Sequence, residues 1–211
     1  MKSQKKLLIA FIINLCIVVF ESIGLILSIN KHGLLVFQFY TELCNYFALV
    51  ASFLFCIYCI IATRKKSKLP TWIHVLRFVS SAGLFITIFV VLTVLIPIQP
   101  HTFVDMMFKG SNIFQHLLCP VLSIISFIFF ESETKIATKH IFAIILPTVC
   151  YGLTCIILNI LKVITGPYPF FYVYAIPWFF IVLALLGVLS IVLGLSFLVL
   201  WLRNRQYKKQ S

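Results

Sequence analysis

Five residues of this 211-residue chain have the types and spacing that acyl-transfer chemistry needs. Thr41 offers a hydroxyl, His116 an imidazole, Asn45 and Asn112 amide donors, and Glu21 a carboxylate. A hydroxyl is a weak nucleophile until an adjacent base activates it. Burial keeps an imidazole neutral and able to act as that base, and an amide can stabilise the oxyanion that forms. Thr41 and Asn45 stand at i, i+4, as do Asn112 and His116, so each pair shares a helix face. Glu42 follows Thr41 by one residue and points about 100° away on a helix, which leaves Glu21 as the better candidate carboxylate. The same residues also read as packing: Thr41 bonding back to its own helix, the two Asn bridging helices, His116 a buried neutral ring.

The elements that must carry these residues follow from composition. The chain is 62% hydrophobic and 10% charged, against roughly 45–50% and about 25% in ordinary soluble domains. That excludes a soluble globular domain and a disordered chain, and leaves no length for a soluble catalytic domain. The expectation is an all-α polytopic membrane protein in which residues 1–211 form one domain of six transmembrane helices, multi-pass in the cell membrane. The apolar segments are Leu7–Ile29, Leu34–Thr63, Trp72–Ile96, Ile113–Phe130, Ile141–Ile164 and Ala175–Leu202, each long enough to span. Strand alternation of a membrane barrel is absent.

The net charge of +12 reads as topology and lipid contact, not nucleic-acid binding, because no extended basic face exists. Thirteen Lys and Arg fall on one side (the N-terminus, 64–68, 135–139 and 203–209) and three on the other, Lys31, Lys109 and Lys162. This predicts both termini in the cytoplasm. Glu21, Thr41, Glu42, Asn45, Asn112, His116 and Asn159 then gather at one depth, the outer leaflet, on different helices. The inner half holds little beyond interfacial Arg77 and His74. Intramembrane polar groups are functional candidates by default.

Other features read as structural. The seven cysteines lie in apolar runs, and Cys56 and Cys59 lack the second pair a metal site needs, so no metal, cofactor or disulfide framework is expected. Lys2–Phe20 resembles a signal peptide, but the apolar run continues to Ile29, which favours an uncleaved first span. Tyr168, Phe170, Phe171, Tyr172, Tyr174 and Trp178 suggest an interfacial belt. Gly187, Ser190 and Gly194 form one small-residue face suited to close helix packing. Pro120 and Pro147 should kink spans four and five. Membrane lipid is the expected environment and a possible substrate; no protein partner is indicated.

Three segments carry a family resemblance: Phe39-Tyr40-Thr41-Glu42-Leu43-Cys44-Asn45, Asn112-Ile113-Phe114-Gln115-His116 with Pro120, and Gly166-Pro167-Tyr168-Pro169-Phe170. Their order resembles the androgen-induced/androgen-dependent multispanning membrane hydrolases, and most closely their bacterial relatives. The resemblance implies a six-span hydrolase with Thr41 and His116 as the catalytic pair, and Tyr168 matches the late Tyr-Pro-Phe. The family cleaves fatty-acid esters of hydroxy fatty acids. Glu42 and Cys44, and the Asn-x-x-x-His spacing, depart from the animal pattern. The functional expectation is a lipid-ester hydrolase or acyl transferase. The alternative is a non-enzymatic small-molecule binding or transport component using the same polar pocket.

Overall fold

The structure, a computed structural model, describes residues 2–98 and 102–208. Among these the chain is helical without strands. In hydrocarbon each backbone group must bond within its own segment, so an apolar run of this length has only the helix available. Six helices are long and apolar enough to cross a membrane. They are α1 (Lys2–His32), α2 (Tyr40–Lys65), α3 (Thr71–Ile98), α4 (Ile113–Phe130), α5 (Phe142–Ile160) and α6 (Trp178–Lys208).

The first four form the core, with α3 the most buried span; α5 and α6 are packed outside it. Ile17, Ala48, Leu84 and Cys119, one from each of α1–α4, meet in a single buried layer. The lysine- and arginine-rich loops mark one end of the bundle, hereafter the basic end. Lys209, part of the charge count, lies outside the described residues.

Boundaries differ from the sequence reading; the fifth helix, for one, ends at Ile160 and not Ile164. The polar break at Asn30–Gly33 does not end the first helix, which runs to His32 and continues as a 3-10 helix over Gly33–Gln38. The second span therefore starts at Tyr40, not Leu34, which puts Thr41 in its first turn. The last helix begins after Pro177 and runs six residues past Leu202, where Arg203 is buried.

Two prolines are absorbed by widened turns. A π-helix over Val91–Leu95 precedes Pro97, and another over Ile113–Leu118 precedes Pro120. Proline lacks an N–H and clashes with the carbonyl four residues back; the five-residue turn takes that carbonyl out of the way. Pro147 lies inside α5 without such a turn.

Two side-chain expectations change. The Gly187/Ser190/Gly194 face is exposed, and a Cβ at either glycine would meet nothing within 4 Å, so these residues pack no helix of this chain. Of the aromatic belt, Tyr168 and Phe171 are core, buried with Val91, Leu95, Met107 and Cys155, because the 161–174 loop folds back over α3 and α5. Tyr174 and Trp178 remain exposed.

Candidate functional site

The end of the bundle away from the basic loops holds the predicted residues, and the structure sorts them into three neighbouring groups. The first surrounds Thr41. Its backbone N–H, an orphan donor of the first turn of α2, donates to the Tyr168 hydroxyl at 3.4 Å, and the two hydroxyls lie against each other. Tyr168 is held by its loop. Asn159 donates to the Gly166 carbonyl at 2.7 Å and accepts the Gly166 N–H at 2.9 Å. Gly166 has φ +102°, and a Cβ there would sit 3.1 Å from Tyr172. Burial pushes the Tyr168 phenol up to about 12, so it is a neutral hydrogen-bonding hydroxyl.

Thr41 and Tyr168 line an apolar cleft of about 320 Å³ between α3, α5 and α6. Much of its wall is aliphatic, and Leu153, Val182 and Leu186 on its rim are exposed on the apolar exterior. The Tyr40 hydroxyl donates to Thr148 at 2.7 Å, since Thr148 itself donates to the Ile144 carbonyl. The Tyr151 hydroxyl donates to the Gln38 carbonyl at 2.8 Å. Tyr40 and Tyr151, with ring centroids 5.2 Å apart, also line a larger groove of about 830 Å³. That groove runs between α2, α3 and α5 toward Trp72 and His140 at the basic end.

His116 belongs to a second group. Its Nδ1 lies 2.7 Å from the Met106 carbonyl. A carbonyl only accepts, so Nδ1 carries the proton and Nε2 keeps its lone pair. Met106 sits on the short helix Phe103–Phe108. Thr102 caps that helix, its hydroxyl accepting the Asp105 N–H at 3.2 Å, and Asn112 donates to the Asp105 carbonyl at 2.8 Å. Bonds from Thr102 and Lys109 hold the exposed Asp105 carboxyl below its ordinary value. No Thr41–His116 hydrogen bond occurs among the described residues: the His116 ring bonds the Met106 carbonyl, and Thr41 bonds Tyr168 through its backbone N–H. Asn45 and Asn112 each direct an amide proton to a backbone carbonyl, of Thr41 and Asp105 respectively.

The third group is interior. Glu42, which the helix angle sets apart from the Thr41 face, is engaged elsewhere. Ser28 donates to its Oε1 at 2.6 Å and Gln115 to its Oε2 at 2.7 Å. This bond shows that α2 and α4 do touch beside Thr41 and His116. Glu21 is buried next to the Cys119 thiol, with Oε1 unpartnered.

Sequence reasoning missed a polar centre nearer the basic end. Arg77, in the second turn of α3, is fully buried and paired with Glu131 at 3.1 Å. Its five N–H groups, the full inventory of a guanidinium, reach Glu131, Ser52, Ser80 and Ser123. Glu131 also accepts from Asn14 at 3.0 Å and Ser126 at 2.7 Å. Burial alone would raise its pKa, but Arg77 and these donors outweigh that and hold it below the ordinary carboxylate value. Arg203 donates to the Glu131 carbonyl at 2.8 Å and to that of Thr134. The available signal was an acidic residue closing one serine-rich span opposite an arginine inside another.

No group of three His, Cys, Asp or Glu residues able to hold a metal occurs among the described residues. No family model, curated protein or solved structure matches the chain.

Proposed function

We propose that this chain is a membrane-embedded hydrolase, or acyl transferase, of a lipid ester, multi-pass in the cell membrane with both termini cytoplasmic. The observation that carries the reading is Thr41 at the wall of an apolar cleft open to the bilayer, beside Tyr168. Lipid tails are as apolar as the cleft, so a tail seated there contributes fit more than driving force, and the hydroxyls at the wall decide the position of the ester. The positive-inside rule sets this cleft in the outer leaflet.

In this mechanism Thr41 Oγ1 bonds to the ester carbonyl carbon and its proton passes to His116 Nε2. The Tyr168 hydroxyl donates to the oxyanion. Collapse expels the alcohol, which takes the proton from His116. Water, or an acceptor alcohol in a transferase, then releases the acyl group from Thr41 by the same steps. Apo hydrogen bonds at catalytic sites are often long and tighten with substrate. The resemblance to the androgen-induced family supports the same pair. Glu21 and Asn45 act from behind, Asn45 by fixing the Thr41 carbonyl.

A second reading has one observation in its favour: Thr41 and His116 bond Tyr168 and Met106, not each other. A lipid-binding or transport component would use the cleft without a covalent step. Purified protein in detergent, tested with a serine-hydrolase-type covalent probe and a panel of lipid esters, separates the two. Labelling and turnover in wild type, both lost in Thr41→Val, support the enzyme; absence of both in wild type supports the binder.

A further inference from the structure

The layer of Ile17, Ala48, Leu84 and Cys119 defines what lies one turn farther from the basic end. Residues three or four apart share a helix face. One turn on, α1 presents Glu21, α2 Asn45, α3 Thr87 and α4 Gln115. All four are essentially out of solvent, between 1% and 2% exposed. Contacts around the layer agree: Cys119 lies beside Glu21, and Gln115 packs so closely on α1 that a Cβ at Gly24 would come within 3.0 Å of it.

The donors of this layer are used and its acceptors are not. Asn45 Nδ2 donates to the Thr41 carbonyl at 2.9 Å, and Gln115 Nε2 donates to Glu42 at 2.7 Å. Both partners are acceptors, which fixes the amide orientations and leaves each amide oxygen as the free end. Asn45 Oδ1, Gln115 Oε1 and Glu21 Oε1 are all buried without a hydrogen-bond partner. Thr87 turns its hydroxyl proton to the Gly83 carbonyl at 3.1 Å, so its oxygen too is an acceptor. Unpaired acceptors in an apolar interior cost of the order of 1–3 kcal/mol each. Three in one layer, one of them a carboxyl whose named neighbours are a thiol and a second carboxyl, form an oxygen set that a cation would satisfy.

We infer that Glu21, Asn45 and Gln115 bind a dehydrated alkali-metal cation in the interior of the four-helix core. The ligand set is hard oxygen, which suits hard cations over soft ones. One carboxyl is left without a hydrogen-bond donor from an amide or hydroxyl, whereas Glu42 is already engaged by Ser28 and Gln115. A single compensating charge therefore fits better than a double one. Gln115 lies on the π-turn Ile113–Leu118, the irregularity that recurs at functional sites within helices. The three ligands lie behind Thr41 and do not line its cleft, and their occupancy does not depend on whether the protein hydrolyses lipid.

The test is binding of 22Na+ to the purified full-length chain in detergent. Wild type should bind saturably, with displacement by NaCl and not by choline chloride; KCl as competitor distinguishes the two common alkali cations. Thermal unfolding should shift upward with NaCl relative to equal choline chloride, because a ligand of the folded state stabilises by mass action. Glu21→Gln should abolish both effects, and Asn45→Ala and Gln115→Ala should each weaken binding by more than about tenfold. No saturable binding by wild type, or equal binding by Glu21→Gln, overturns the proposal. If Glu21→Gln cannot be purified, the wild-type titration and the two amide variants decide.

Discussion

Asn159 and Gly166 hold each other through a reciprocal pair of hydrogen bonds, 2.7 and 2.9 Å long. The pair closes the end of α5 onto the loop that carries Tyr168, two residues beyond, against Thr41. Asn159→Ala leaves a buried N–H and a carbonyl unmatched. It is expected to destabilise the protein by about 1–3 kcal/mol and to lower ester turnover by releasing Tyr168. Thermal melts and turnover on one preparation measure both; full activity in a correctly folded Asn159→Ala protein would remove Tyr168 placement from the mechanism.

Thr41→Val removes the hydroxyl at nearly constant volume. Turnover and probe labelling should vanish while the fold persists, since an interhelical hydrogen bond in membrane averages only about 0.6 kcal/mol. His116→Ala should cost about 10²–10⁴-fold in turnover. The double variant should be no worse than Thr41→Val, because residues that act as a unit are non-additive. Additive modest losses of lipid affinity, with no covalent step, would fit the binding reading instead.

Arg77→Met leaves Glu131 without its cation and Ser52 without its donor in the interior and should cost about 3–5 kcal/mol. Pairing it with Glu131→Leu should restore much of that loss, since an apolar replacement of a buried ion pair is often neutral. Denaturant titration of the two variants beside wild type checks this. A double variant as unstable as the single would place the penalty on the serines.

Glu131 gives acid sensitivity a definite sign. Its folded pKa lies below the ordinary carboxylate value of about 4.3. Its contribution is thus complete above that value and is lost as pH falls through the folded one. Thermal stability should hold from neutral pH down to about pH 5 and then decline. Glu131→Gln should be less stable at neutral pH and show a shallower acid slope; parallel slopes would assign the acid loss to other groups.

Orientation has its own measurement. Reporter fusions after Lys109 and after Lys139 should report opposite sides, outside and inside. The same side for both would break the six-span arrangement and the outer-leaflet placement of the cleft.

The six helices were legible because length and apolarity suffice to name a spanning helix. The Asn30–Gly33 break misled because a 3-10 helix bridges it, a matter of backbone geometry that hydropathy does not register. At the site, Thr41, Asn45 and His116 do lie toward the end of the bundle away from the basic loops, but 3.6-residue periodicity did not give their partners. Partners depend on how helices rotate against one another, and the Glu42–Gln115 bond is one that a single helix's spacing does not reveal. Glu131 was hidden for a different reason. It follows an apolar span among polar residues and reads as loop, and only the tertiary fold turns it inward onto Arg77. Tyr168 reads from its amphipathic type as an interfacial ring and from the late Tyr-Pro-Phe resemblance as a supporting pocket residue, and only the fold of its loop sets it against Thr41.

The Arg77 pairing also sets an order of events at the ribosome. Arg77 leaves the exit tunnel 54 residues ahead of Glu131, and Arg203 follows Glu131 by 72 more. Arg77 lies in the second turn of α3, and a guanidinium within an inserting helix costs up to about 2.5–3.5 kcal/mol, the translocon-scale value for the helix centre. Until Glu131 arrives, the nascent third helix carries that cost with only the Ser52 and Ser80 hydroxyls for relief. Its release into lipid should therefore wait for the fourth helix, the two leaving the translocon as a pair. Chains arrested shortly before residue 131 should keep α3 crosslinkable to the translocon, and an added Arg77→Leu should free it.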